Sequence, residues 1–341
     1  MPTRTIAVAG GTSPTLGRAL ITALSTHADL SPLILSRKDT SKPQPHLQPS
    51  TVYSAPVVYV DYKSIPSLTE TLRTHNVETL ISVVKIPGPD WVTVQLNLLA
   101  AAQEAGVRRF APSEFELGPL ADGKVDILGL KAPVTEACLK AASEKFEVAR
   151  FNGGMFMNYL SLGWVADSDQ GQKGTGKTRE DRKWEVTRGF VDEPMIFDPA
   201  KRKAELPIKG DGTYPTVSLT DIGDIGKFVA AACALPLGEW ELDMSFVGEV
   251  IGVDEVVRLL EKRLGKFEVT NVGEEELKRR VQAVEGIGTT KESVLSKMWS
   301  QIELCMLEGL EGAGVLKGVV NEKCPDFKPQ TVDAYLDMVY G

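Results

Sequence analysis

One lysine stands where acid–base chemistry could be done. Lys131 lies two residues before Pro133, at the start of a stretch, Ala132 to Ala142, with helical apolar spacing. Proline is tolerated only in a helix's first turn, so Lys131 falls at or just before a helix N-terminus. The partial positive charge there disfavours an ammonium, and partial burial acts the same way. A pKa depressed below the ordinary value of about 10.4 is therefore expected, in the direction a general base needs. Other constellations fall away. The 3 histidines (His27, His46, His75) all lie in the first quarter, so no Ser-His-Asp triad or His-rich metal centre can be built later, and no metal is expected. Tyr59 and Lys63 match a Y-x-x-x-K pair, but they fall on a strand, where residues four apart do not converge as on a helix. Gly171 to Thr178 satisfies G-x4-G-K-T, yet no buried strand precedes it and no apolar helix follows. No tyrosine stands four residues before Lys131, where Ile127 sits, so this lysine would act alone or through water.

The chemistry must then lean on lysine, tyrosine, carboxylates or a cofactor, and Thr5 to Leu20 (TIAVAGGTSPTLGRAL) provides for one. A buried strand, a glycine turn and an amphipathic helix in this order form the opening βα unit of a dinucleotide-binding fold. Glycine lets the chain turn off the strand and lets backbone N–H groups approach a pyrophosphate, and Gly17 allows close helix packing. The spacing Gly11-x5-Gly17 is longer than G-x-G-x-x-G, because Ser13, Pro14 and Thr15 fill the middle. Gly10, Gly11, Thr12, Ser13, Pro14, Thr15, Leu16 and Gly17 are the expected pyrophosphate contacts. The second strand, Pro32 to Leu35, ends in Ser36-Arg37-Lys38. An NAD enzyme tends to carry an acid at this point and an NADP enzyme an arginine, so Arg37, with Ser36 and Lys38 beside it, is expected to take a 2′-phosphate.

Strands and helices alternate over the first 150 or so residues. Strand three is Val57–Val60, strand four Thr79–Val84, strand five Arg109–Ala111 and strand six Phe146–Phe151. Helices fall at Ile65–Thr74, Trp91–Ala105 and Ala132–Ala142. The pattern predicts an α/β, Rossmann-type doubly wound parallel sheet, with a smaller α/β substrate-binding portion towards the C-terminus. Residues 1–160, with 212–237 returning, are assigned to the nucleotide domain, and 161–211 with 238–341 to the substrate portion. Val83, near the end of strand four, and Ser113, just past strand five, join the expected cofactor contacts. Asn152, Gly153 and Phe156 follow strand six, at the carboxyl end of the sheet where a nicotinamide should rest. Phe115, Tyr159 and Trp164 are the candidate substrate contacts, and the polar stretch 161–205 is expected to cover the cleft.

The bulk numbers narrow the class. A net charge of −8 argues against a sequence-independent hold on nucleic acid. The 4 cysteines form no C-x-x-C pair, which fits a reducing compartment rather than a zinc or disulfide framework. Neither a signal peptide nor a membrane span is read, and a cytoplasmic location is expected.

GGTxxxLG, SRK, Gln95-x2-Leu98 leading to EAGVRRFAPSEF, the lone Lys131 and FNGGMFMNY together resemble the isoflavone-reductase/NmrA-like family of atypical short-chain dehydrogenases. IKGDGTYPTVSLTDIGDIGKFV and FKPQTVDAYLDMV extend the resemblance over nearly the whole chain. It implies NADPH hydride transfer to a small conjugated aromatic, phenolic or polyketide-like molecule, with Lys131 as acid/base. In that scheme a phenol or enol is deprotonated, opening an enone or quinone-methide-like acceptor. A redox-neutral isomerase on the same fold and a non-catalytic NADP(H)-sensing regulator are the competing expectations. Monomer and homodimer stay open.

Overall fold

The computed structural model describes residues 3–37, 55–86, 88, 90–163, 183, 184, 186–188, 193–284 and 290–341. Lys38 and Trp164 lie outside the described residues. The first half runs β1 (Arg4–Ala9), α1 (Leu16–Thr26), β2 (Leu30–Arg37), β3 (Val57–Val60), α2 (Ile65–Thr74), β4 (Val77–Ser82), α3 (Asp90–Ala105), β5 (Arg109–Ala111), a single turn α4 (Asp126–Gly129), α5 (Ala132–Ala141) and β6 (Glu147–Val148). Its six strands are parallel, in the order β3-β2-β1-β4-β5-β6. That is the doubly wound order, with the direction of winding reversing beside β1. The period of two in β1 builds both layers at once. Ile6 and Val8 enter one core with α1, while Ala7 and Ala9 enter the other with α2 and α3.

Strand six is shorter than the Phe146–Phe151 expected, because the chain changes partners. Ala149 N–H still donates to Phe110 O, but Arg150 N–H donates to Leu242 O and Phe246 N–H donates to Asn152 O. Residues 242–246 thus take over pairing at the sheet's edge and cover its free backbone groups. Strand four lies two residues earlier than expected, which leaves Val83 and Val84 past its end.

The second half adds β7 (Met155–Phe156), β8 (Phe197–Asp198), β9 (Lys203–Ile208), β10 (Thr216–Thr220), α6 (Ile222–Ala234), β11 (Glu249–Gly252), α7 (Val253–Leu264), β12 (Glu268–Gly273), α8 (Glu274–Ala283), α9 (Lys291–Glu308), α10 (Val319–Lys323) and α11 (Val332–Tyr340). The strands form two small sheets, β11-β10-β7 and β12-β9-β8, around a core of their own. Helix α6 packs with α1 in the nucleotide half. Arg109, fully buried, fixes its end: the guanidinium donates to the carbonyls of Leu235 and Pro236 and pairs with Glu147 at 2.7 Å. It also donates to Cys233 O at 3.4 Å, one of the last-turn carbonyls that the helix leaves unpaired. Among the described residues no helix is long and apolar enough to cross a membrane.

Candidate active site

The glycine turn is built by close backbone approach. Gly10 has φ +78°, and a Cβ there would lie 3.1 Å from the backbone of Val83 and Val84. A Cβ on Gly17 would lie 2.7 Å from Gly11 O and 2.8 Å from Gly10 O, so it is the turn that Gly17 lets α1 approach, rather than the face of the sheet. Across the longer middle of the turn, Ser13 N–H donates to Gly10 O at 2.9 Å, and the hydroxyls of Ser13 and Thr15 lie 2.9 Å apart. Thr15 caps α1 without a side-chain bond, and the helix's first turn holds no acid. An N-terminus of this kind favours an anion.

Beside the turn opens a cavity of about 580 Å³. Of the expected cofactor contacts, Gly10, Thr12, Ser13, Pro14, Ser36, Arg37 and Val83 line it. Gly11, Thr15, Leu16 and Gly17 shape the turn without lining the cavity. The sequence reading passed over Tyr62, Val84 and Lys85, which also line it. Lys85 gives the cavity a second cation beside Arg37, and among the described residues no carboxylate lines it. Tyr62 is a pin: its hydroxyl accepts from Gly10 N–H at 2.9 Å and donates to Leu35 O at 2.8 Å. Burial holds the phenol well above its ordinary pKa, so it stays protonated. Its signal was available, since it stands two residues past β3 at the carboxyl end of the sheet. A glycine cradle, a helix N-terminus without acid, and cations at the end of β2 and past β4 fit the phosphates of a dinucleotide.

Lys131 occupies the N-cap position of α5, where the proline placed it. Its ammonium donates to Glu114 O at 3.0 Å and pairs with Glu116 at 2.8 Å and Glu114 at 3.3 Å. The ring centre of Trp91, in the first turn of α3, lies 5.6 Å away. The expected depressed pKa is not found. Burial works against the ammonium, but the carboxylates of Glu116 and Glu114 outweigh it and hold Lys131 above the ordinary lysine range. Glu116 is itself pushed well above the ordinary carboxyl range, by burial first and by Glu114 in addition, against the pull of Lys131. Asp122 completes a group of three carboxylates whose oxygens lie within 4.8 Å of one another. Lys131 and Arg150 stand against this group as its cations, Arg150 at 3.7 Å from Asp122.

The remaining predicted residues are spread around this centre. Ser113 N–H donates to Gln95 Oε1 at 3.2 Å, and Gln95 in turn donates to Ser82, which ties β5 to α3 and β4. Phe115, with φ +48°, is buried against Phe151 in the core and is not brought to the cavity. Asn152 is buried with both amide atoms lacking a hydrogen-bond partner among the described residues. Gly153 leaves room for the ring of Phe246, 2.6 Å from where its Cβ would be. Phe156 packs at the margin of the first core, and Tyr159 meets Trp299 edge to face at 6.3 Å, in the second half. The surface role of the Tyr59/Lys63 match also emerges: Lys63 pairs with Asp90 at 3.5 Å.

A glycine turn beside a cavity at the switch point of a 3-2-1-4-5-6 parallel sheet, with the partly buried Lys131 at the N-terminus of α5, defines a Rossmann-type nucleotide-binding fold. The NmrA-like family matches residues 2–336, and the chain belongs to that family. A fungal relative, the oxidoreductase swnN of Arthroderma benhamiae, is 22% identical over 210 residues. That match spans 60% of this chain and 58% of the relative's length. Among solved structures, an isoflavone reductase superposes with TM-score 0.67 at 18% identity, covering 98% of this chain and 99% of that one. The protein AtPrR2, solved with NADP⁺ and (+)-pinoresinol, superposes with TM-score 0.66 at 21% identity, covering 99% of each chain.

Proposed function

We propose that this protein is an NADPH-dependent reductase of a small aromatic, phenolic or polyketide-like molecule. The observation that carries the reading is the phosphate-ready cavity: a glycine turn on one side, Arg37 and Lys85 on another, and no carboxylate among the described lining residues. NADP⁺ in the AtPrR2 structure and the names of the reductase relatives support the same cofactor and reaction class. When bound, NADPH supplies a hydride to an electrophilic carbon. The chain's own residues would bind and orient the cofactor through the turn and Arg37, and Lys131 would manage the proton. Because Glu116 and Glu114 favour its charged form, Lys131 is better suited to donating a proton than to abstracting one. An enone or quinone methide that accepts hydride gathers negative charge on its oxygen, and an ammonium can neutralise it. Arg37→Ala and Lys131→Ala thus separate cofactor choice from proton transfer. The direct test is titration of NADPH, NADP⁺ and NADH, followed by a screen for NADPH oxidation with phenolic enones and quinone-like compounds. Oxidation in any substrate pool supports the reductase.

One observation favours a second reading. Lys131 donates to Glu114 O and pairs with the carboxylates of Glu116 and Glu114, so its charge is already compensated within the chain. In a non-catalytic NADP(H)-sensing regulator this lysine would be a buried structural cation. Unequal affinity for NADPH and NADP⁺ without oxidation of any substrate would favour that reading.

A further inference from the structure

A second set of contacts brings the far half of the chain onto the glycine turn. Trp184 Nε1–H donates to Pro14 O at 2.8 Å. The guanidinium carbon of Arg18 lies 4.1 Å from the centre of the Trp184 ring and that of Arg188 lies 5.1 Å away, so two cations flank one indole. Arg188 is held in turn by Asp221, at 3.3 Å. The Asp221 carboxylate is fully buried and also accepts from Asn158 Nδ2 and Gly223 N–H, both at 2.9 Å. Gly223 has a reason to be glycine: a Cβ there would lie 2.8 Å from the Arg188 guanidinium. Tyr335 adds a further tie, its hydroxyl donating to Val186 O at 2.9 Å.

Arg18 is the cation in this set without an assigned counter-charge. It is the third residue of α1, whose first turn contains no acid, and among the described residues no carboxylate pairs with it. Its guanidinium rests on a ring bonded to Pro14, and Pro14 lines the cavity beside the turn. A planar guanidinium beside a helix N-terminus is suited to the oxygens of a phosphate.

We propose that Arg18, held in place by Trp184, is a further binding residue of the dinucleotide site that takes its diphosphate, and that Arg188 is the positioning residue that keeps Trp184 there through Asp221. The proposal rests on the dinucleotide reading above. It divides the charge recognition between two arginines: Arg37 at the end of β2 for the 2′-phosphate, and Arg18 at the start of α1 for the diphosphate.

The test is calorimetric titration of NADPH, NADH and adenosine 2′-monophosphate into the wild-type chain and into Arg18→Ala, Arg18→Lys, Arg188→Met and Arg37→Ala. Arg18→Ala is expected to weaken NADPH and NADH alike, by about tenfold, and to leave adenosine 2′-monophosphate unchanged. Arg18→Lys should recover part of that loss, and Arg188→Met should show the same pattern more weakly. Arg37→Ala should give the opposite pattern. Unchanged dinucleotide affinity in Arg18→Ala, or a loss that falls on adenosine 2′-monophosphate, overturns the assignment of Arg18 while the cofactor reading stands. Failure of the wild-type chain to bind any dinucleotide overturns both.

Discussion

Lys131 and Glu116 form an ion pair at 2.8 Å in which both side chains are nearly buried, 15% and 9% exposed. The pair sits at the carboxyl end of the parallel sheet, between the segment after β5 and the N-terminus of α5. Removing two opposite charges from water is tolerable only when each satisfies the other, so either residue alone would be a costly burial. The relationship also sets the direction of any chemistry. The lysine is kept charged, so in the proposed reductase it would serve as a proton donor.

If Lys131 donates the proton, activity is present while it is charged and falls as pH rises through its pKa. Glu116 raises that pKa, so Glu116→Gln should move the alkaline fall in kcat to lower pH while leaving NADPH affinity unchanged. Lys131→Ala should lower kcat by about a hundredfold or more without loosening NADPH. A pH–rate profile that stays in place in Glu116→Gln would remove Glu116 from the mechanism, and full turnover in Lys131→Ala would remove Lys131.

Arg37 lines the cavity beside Ser36, and among the described residues no carboxylate lines that cavity. Arg37→Ala should weaken NADPH by about tenfold to a hundredfold, the range of a charge-assisted hydrogen bond. NADH affinity should hold. Comparing the two titrations checks it, and equal weakening of both would cancel the 2′-phosphate assignment.

Tyr62 binds the glycine turn to β2, but Gly10 N–H also has Leu35 O at 3.0 Å as an acceptor. Tyr62→Phe therefore leaves no orphaned donor. It should cost about 1 kcal/mol of stability and a few-fold in NADPH affinity. Urea unfolding and the same calorimetry measure the two effects. A much larger loss of affinity would mean that the hydroxyl itself meets the cofactor.

Glu303, buried on α9, has its carboxyl pushed up to about 8, chiefly by burial and in addition by Glu205. Its folded pKa lies above its unfolded one, so the folded chain holds the proton more tightly. Stability is full below the unfolded pKa and declines as pH rises towards about 8. Glu303→Gln should leave stability unchanged in mild acid and raise it, on the order of a few kcal/mol, in mild alkali. Denaturant unfolding on either side of the window decides it. A variant with the wild-type pH slope would place the titration elsewhere.

Much of the nucleotide half was legible because local signals and global fold agree there. A period of two in β1, a glycine turn, a period near 3.6 in α1 and an arginine at the end of β2 each constrain a few neighbouring residues, and the sheet needs nothing more to assemble in its doubly wound order. Pro133 likewise placed Lys131 at a helix start from sequence alone. Its protonation behaviour was not legible. The helix N-terminus and burial both argued for a lowered pKa. The deciding groups, Glu114 and Glu116, stand 17 and 15 residues earlier and reach Lys131 only because β5 and α5 converge at one end of the sheet.

The same division holds for side chains whose partners are remote. Phe115 read as a substrate contact from its motif, yet its φ of +48° and the neighbouring Phe151 turn it into the core. Tyr62 and Lys85 carried no motif, and only the spacing of parallel strands brings them to the turn at Gly10. Trp184 and Arg188 are more than 160 residues from Pro14 and Arg18. By itself the sequence determined the βα units, the cofactor class and the place of the lysine, since these depend on periodicity and on residues a few positions apart. The charge on that lysine, the walls of the cavity and the clasp on the glycine turn were decided by the tertiary structure, because Coulomb interactions, burial and close packing depend on distance through space and not on distance along the chain.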